Sequence, residues 1–232
     1  MTHGSGNVLM VAARAPHPGE TKTRLGRTIG MERAARLYEA FLVDISTKVM
    51  PRNGHAYDLV WTHSPPDIDF RRELGGVVGA VPGDVRFLPQ IADDDWGRRQ
   101  DALLEWGDAQ GYERSVLVAS DSPQMDMSAI SAAFEALGDH DVVLGRVHDG
   151  GYYLIGQRGY RSILEGVPMS TASAAEGVID HARRQGLLVA EVEPTFDVDV
   201  EADLELLREH LARCGGRDAP ATWRALLDLG LR

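Results

Sequence analysis

The stretch from Val8 to Leu25 limits the fold more than any other part of the chain. Val8-Leu9-Met10-Val11-Ala12-Ala13 is a short apolar run of strand formers, the pattern of a strand buried on both faces. Two prolines and a glycine follow in Arg14-Ala15-Pro16-His17-Pro18-Gly19, and they cannot continue a strand. The chain must leave the sheet as a loop, and that loop carries Lys22 and Arg24 toward a helix start, with Arg14 and Arg27 flanking it. Backbone amides and fixed cations at the end of a parallel strand make a place for phosphate.

Two familiar phosphate loops are excluded. A Walker A loop needs a second glycine immediately before the lysine, and Thr21 stands there. A dinucleotide fingerprint needs G-x-G-x-x-G after the strand, and it is absent. Lone basic residues usually just solvate a surface, but four cations within fourteen residues of a buried strand favour an anion.

The rest of the chain alternates strand and helix. Met31 to Met50 bears an apolar stripe at Ala34, Leu37, Tyr38, Phe41, Leu42, Ile45 and Val49, an amphipathic helix that Pro51 and Asn53-Gly54 end. Strands are expected at 56–62, 85–88, 115–120, 142–145, 152–155 and 187–192. Helices are expected near Phe70 and over 96–110, 127–137, 172–185, 202–213 and 221–229, with Ser170 or Thr171 capping the fourth of these six. Asp93-Asp94-Asp95 suits the amino end of its helix. Such alternation predicts an α/β/α sandwich on a mostly parallel sheet, as one domain over 1–232. A hydrophobic fraction of 44% is enough for its core.

Asp121 follows the clearest central strand, where open α/β sheets bind ligands. Asp197 and Asp199, two residues apart, share one face of an extended segment. Asp203 reads as a first-turn helix acid. Two carboxylates at about 4 Å repel by roughly 4 kcal/mol at an effective dielectric near 20, so converging acids need a proton or a cation among them. Carboxylate oxygens select Mg²⁺ or Mn²⁺. Cys214 is a lone cysteine near a Gly-Gly turn, read as an inert thiol, and no His/Cys cluster is apparent to recruit zinc. The net charge of −11 argues against nucleic acid or an anionic membrane as partner. No signal-like or membrane-spanning apolar run is present, which predicts a cytoplasmic protein, and a homodimer is left open.

Four stretches carry a resemblance: Pro18-Gly19-Glu20-Thr21-Lys22-Thr23-Arg24-Leu25, Ser120-Asp121-Ser122-Pro123, Asp149-Gly150-Gly151-Tyr152-Tyr153-Leu154-Ile155-Gly156, and Asp197-Val198-Asp199 through Leu204. They resemble the DUF2064 group, the transferase family associated with radical-SAM and selenium clusters. The opening loop is also similar to that of the phospholactate and phosphoenolpyruvate guanylyltransferases. Ala119, Met125, Arg146 and Val200 depart from the family pattern, as do Trp96 and Gln100 around the matching Gly97 and Arg99.

The resemblance implies a GT-A-like nucleotide-diphospho-sugar transferase fold. It implies nucleotide binding by Arg14, Gly19, Lys22, Arg24, Arg99 and Asp121, with Lys22, Arg24 and Asp121 catalytic. Asp121, Asp197 and Asp199 would hold Mg²⁺ or Mn²⁺, and Asp149, Gly150, Gly151, Ser170 and Thr171 would meet a small acceptor. The expected reaction is nucleotidyl transfer from a nucleoside triphosphate to a phosphorylated acceptor, releasing pyrophosphate. The alternative is glycosyl transfer from a sugar nucleotide, for which Asp149 is the motif-borne candidate base. A non-catalytic nucleotide-binding module ranks third, since it would not need three convergent acids.

Overall fold

The computed structural model describes residues 6–50, 56–169 and 171–231. Pro51, Asn53, Gly54 and Ser170 lie outside them. The elements run β1 (Asn7–Arg14), α1 (Thr23–Ile29), α2 (Met31–Val49), β2 (Asp58–Ser64), α3 (Phe70–Val78), β3 (Arg86–Pro89), α4 (Trp96–Ala109) and β4 (Arg114–Ala119). They continue with α5 (Met127–Ala136), β5 (Val142–Val147), β6 (Tyr152–Arg158), α6 (Ala174–Arg184), β7 (Val189–Thr195), α7 (Glu201–Cys214) and α8 (Pro220–Asp228).

The strands form one sheet in the order β3-β2-β1-β4-β6-β5-β7, and β6 alone runs antiparallel to its neighbours. Alternating residues of β1 divide between two cores, as a strand covered on both faces requires. Leu9, Val11 and Ala13 pack with Leu37, Phe41 and Leu207, whereas Val8, Met10 and Ala12 pack with Leu103, Leu104 and Val178. The result is the expected three-layer α/β/α sandwich.

This order fixes where a ligand can sit. From β1 the chain winds outward to β2 and β3, then crosses back to place β4 on the other side of β1. The connections at the carboxyl ends of β1 and β4 therefore diverge and open a crevice, the switch point where open sheets bind ligands.

Local chemistry explains several element starts. Asp69 accepts from Arg72 N–H and starts α3, while Asp95 accepts from Gly97 N–H at 2.7 Å and starts α4. Asp44 of α2, buried, accepts from Ala221 and Thr222 N–H at 2.9 and 2.7 Å. It caps α8 from another helix, so no local cap in the sequence announces that helix. One expectation fails: Thr171 does not cap α6. Its hydroxyl donates to Pro168 O at 2.9 Å, and Ser173 occupies the cap position. The hydroxyl finds a backbone acceptor within its own loop, as Thr side chains commonly do.

Candidate functional site

Lys22 is the centre of the crevice. It is the one non-glycine residue with positive φ, at 47°, among the described residues. That conformation turns its side chain inward, leaving it 4% exposed. Its ammonium lies 2.8 Å from Asp121 Oδ1 and 2.9 Å from Asp199 Oδ1. Arg24, at the start of α1, is hydrogen-bonded to the other oxygen of Asp199. Burial opposes the charge on Lys22, but Asp121 and then Asp199 hold its pKa above the ordinary lysine value. Burial likewise opposes the charge on Asp199, and Lys22 and Arg24 overcome it, holding that carboxyl below its ordinary range.

Asp197 behaves differently. Burial first, then the charges of Asp199, Asp149 and Asp121, push it up to about 6. Asp197 does not line the cavity that Asp121 and Asp199 line. Nor do the three acids close to within 4.8 Å of one another. The expectation that Asp197 and Asp199 present one shared face is corrected here. β7 ends at Thr195, so the segment that bears them is not a regular strand. The need for a cation is met in part by the chain itself, with Lys22 between two of the three acids. For a divalent ion the donor type fits, hard carboxylate oxygens from Asp121, Asp197 and Asp199, but as arranged here they do not converge, and the Lys22 ammonium holds the place between Asp121 and Asp199.

The cavity, about 270 Å³, is lined by Arg14, Lys22, Arg24 and Arg99 together with Gln90 and Trp96. Arg99 is held from two sides. Its guanidinium stacks 4.7 Å from the Trp96 ring centroid, and it donates to Gln90 Oε1 at 3.3 Å. Burial and then the neighbouring Arg14 charge pull its pKa below the ordinary arginine value, and its Nε is buried with no partner among the described residues. Two guanidinium groups held near each other, balanced only in part by the more distant charges of Asp93, Asp94 and Asp95, favour an anion.

Three contributors were hidden in the sequence. Tyr38 counts there only as a member of the α2 apolar stripe. In the structure its hydroxyl accepts from Arg14 N–H at 3.0 Å and meets Ser120 Oγ at 2.6 Å, and Ser120 donates to Ala12 O at 2.7 Å. This chain ties the carboxyl end of β1 to that of β4, and the Lys22 ammonium sits 5.9 Å from the Tyr38 ring centroid. Burial and the Asp121 charge push the Tyr38 hydroxyl up to about 12. Asp203, besides being a first-turn acid, accepts from Asp199 and Val200 N–H at 2.9 and 2.8 Å, which fixes the loop bearing Asp199. Gln90, the third, accepts from Arg99 and has no local pattern that marks it as part of a site.

The predicted acceptor residues that the structure describes, Asp149, Gly150, Gly151 and Thr171, do not line this cavity, although the Asp149 charge is felt at Asp197. Gly150 has φ +91°, and a Cβ there would lie 1.9 Å from Ala172 O. Its glycine is therefore required by the chain packed against it, which accounts for the residue with or without a ligand. Gly19, φ +81°, turns the opening loop as expected but does not itself line the cavity.

Solved structures share this fold. A protein from Desulfovibrio desulfuricans G20, provisionally named a nucleotide-diphospho-sugar transferase, superposes with a TM-score of 0.86 at 28% identity, over 97% of this chain and 95% of that one. The 4-diphosphocytidyl-2C-methyl-D-erythritol synthase of Anaerococcus prevotii DSM 20548 gives 0.56 at 11% identity, over 89% and 97%. A nucleotidyl transferase of Methanothermobacter thermautotroptrophicus gives 0.54 at 15%, over 90% and 98%. At such identities the last two speak for the fold alone, which is that of nucleotide-linked transferases. No curated protein matches the sequence. No helix among the described residues is long and apolar enough to cross a membrane. The profile of DUF2064, described as uncharacterized proteins conserved in bacteria, matches residues 47–171, from the end of α2 to the approach to α6. With more than half of its length matched, this chain belongs to the DUF2064 family.

Proposed function

We propose that the protein is a nucleotidyltransferase that moves a nucleoside monophosphate group from a nucleoside triphosphate to a small phosphorylated acceptor. The observation that supports this reading is the crevice at the β1–β4 switch point, where Arg14, Lys22, Arg24 and Arg99 converge on one cavity. An acceptor phosphate oxygen would attack the α-phosphorus, the bond from that phosphorus to the bridging oxygen of the pyrophosphate group would break, and pyrophosphate would leave. The acceptor is already ionised, so no general base is required. The work is positioning and neutralisation of charge. Arg14 and Arg99 would hold the triphosphate, with Arg99 oriented by Gln90 and Trp96. Lys22 and Arg24 would exchange their bonds to Asp121 and Asp199 for bonds to phosphate as charge shifts to the leaving group. Once Lys22 and Arg24 have turned to phosphate, Asp121, Asp197 and Asp199 would be free to converge on Mg²⁺ or Mn²⁺, which supplies further neutralisation of phosphate charge when bound.

A second reading, glycosyl transfer from a sugar nucleotide, is favoured by the provisional name of the D. desulfuricans relative. One experiment separates them. The protein is incubated with Mg²⁺, each nucleoside triphosphate and a panel of phosphorylated acceptors, and pyrophosphate is measured. A parallel series with sugar nucleotides is assayed for free nucleoside diphosphate. Pyrophosphate release that depends on an acceptor supports the proposal, and diphosphate release in the second series alone overturns it.

A further inference from the structure

A second cluster of ligand atoms lies at the carboxyl end of α7, outside the cavity at the β1–β4 crevice. His210 and Cys214 are one helical turn apart and project from the same face. Gly215 and Gly216 then turn the chain with φ of 62° and 75°, and Asp218 returns against that face. The turn is tightly defined, since a Cβ on Gly216 would lie 2.4 Å from the Trp223 ring. One ligand atom each from His210, Cys214 and Asp218 lies within 4.8 Å of the other two. No other trio of His, Cys, Asp or Glu donors closes to that distance among the described residues. His210 Nε2 and Asp218 Oδ2 are 2.7 Å apart. The Cys214 thiol has one long contact, 3.5 Å to Leu211 O, a weak interaction for a weak donor.

The donor set differs in kind from the all-carboxylate group of the crevice. Imidazole, thiolate and carboxylate together suit a borderline-soft divalent ion, and a thiolate plus a carboxylate balance its two charges. Three protein ligands leave a fourth position. His210 and Asp218 also line a separate cavity of about 600 Å³, with Arg213 and Arg217 on its wall, so water or a small anion has room to complete the shell. An ion pair that merely ties the loop to the helix would account for His210 and Asp218, and Cys214 also packs against the core, but packing alone does not require its sulfur to lie within 4.8 Å of both polar partners.

We propose that His210, Cys214 and Asp218 form a binding site for one divalent transition-metal ion of the zinc class, separate from the transfer site. The sequence expectation of no His/Cys cluster is corrected, because the residues that complete the set are brought together by the Gly-Gly turn; the proposal gives Cys214 a role in place of the inert thiol expected there.

The test uses the full chain, stripped of metal with a chelator and titrated with Co²⁺ as an optical stand-in for Zn²⁺. One equivalent should produce a thiolate-to-cobalt charge-transfer band, and Zn²⁺ should displace it. Cys214→Ser should remove the band while circular dichroism stays unchanged. His210→Ala and Asp218→Asn should weaken Zn²⁺ binding at least as much as the ~10–100-fold loss typical of outer-shell partners. Asp121→Asn combined with Asp197→Asn should leave the band intact, which separates this site from the carboxylate group. Cobalt bound without a thiolate band would overturn the proposal, as would Zn²⁺ affinity unchanged in His210→Ala. Should Cys214→Ser fail to fold, the His210→Ala titration decides alone.

Discussion

Asp197 and Asp199 are two residues apart and occupy opposite electrostatic worlds. Asp199 faces the opening loop, where Lys22 and Arg24 neutralise it and hold its pKa down. Asp197 joins no ion pair among the described residues, and burial with the charges of Asp199, Asp149 and Asp121 pushes it up to about 6. One wall of the site is thus closed by the chain's own cations, and the other carries charge that no ion pair among the described residues balances. The difference teaches that a phosphate ligand enters by exchange. It must take Lys22 and Arg24 from Asp121 and Asp199, and the carboxylates so released then need another cation.

The largest effect should come from breaking the closed wall at its centre. Lys22→Met removes the cation from two carboxylates while keeping the side chain's bulk. Losing one partner of a fully buried pair costs about 3–5 kcal/mol. Asp121 and Asp199 keep 36% and 25% exposure, so a loss of about 2–3 kcal/mol is expected in chemical denaturation. Nucleotide affinity, read by calorimetry, should fall at least tenfold, which is about 1.4 kcal/mol. Wild-type stability in this variant would mean that the lysine does not organise the crevice.

The contrast sharpens when one charge is removed from each wall in metal-free buffer. Asp199→Asn strands Lys22 beside a single carboxylate and should destabilise the protein by about 1–2 kcal/mol. Asp197→Asn removes a half-buried charge that repels its neighbours and should stabilise it by about 1–2 kcal/mol. Opposite signs in thermal melts are the expected outcome. The reasoning from sequence, that each of Asp121, Asp197 and Asp199 repels the others in the empty site, holds only for Asp197. Two variants shifting the same way would erase the distinction.

A smaller effect calibrates both walls. Asp44 is a buried carboxylate that accepts from two backbone N–H groups at the start of α8, with Lys48 near it and in no ion-pair contact with it among the described residues. Asp44→Ala should cost about 1 kcal/mol, as for an ordinary helix cap, measured by denaturation with nucleotide affinity unchanged. A loss as large as that of Lys22→Met would show that carboxylate burial, and not pairing with lysine, sets the scale.

The sheet was legible because its strands are short apolar runs ended by turn residues, and burial on both faces leaves little else for Val8–Ala13 or Ser115–Ser120 to become. The opening loop and Asp121 were legible for the same reason, since each follows directly from such a strand. What could not be read was everything that depends on long-range pairing. Nothing around Tyr38 signals a hydroxyl bridging β1 and β4, nor does α2 announce that Asp44 caps a helix 177 residues on. The spacing of Asp197 and Asp199 suggested a common face because it assumed an extended strand, and the segment leaves the sheet at Thr195. The pair Gly150-Gly151 suggested either a ligand approach or a sharp turn, and the packing of Gly150 against Ala172 depends on a segment that its own sequence does not name.

The smallest expected effect tests the open wall and the chemistry together. Asp149 is exposed and accepts from Gly151 N–H at 2.9 Å, which orients its carboxylate within the turn. It raises the pKa of Asp197 without lining the cavity, so it is a neighbour of the unbalanced charge and stands back from the cation-rich cavity. If the acceptor is a phosphate, it arrives ionised and needs no base. Asp149→Asn keeps the turn's acceptor oxygen and removes only the charge. The turnover number should then stay within about tenfold of wild type, roughly 1.4 kcal/mol of barrier, with the change falling on acceptor KM. If the protein instead transferred a sugar to a hydroxyl with inversion, the same variant would lose a base and ~10²–10⁴-fold in turnover at saturating acceptor. Steady-state kinetics with acceptor varied distinguishes the two. A thousandfold loss in kcat at unchanged KM would move the chemistry to the open wall and make Asp149, not Lys22, the residue on which turnover depends.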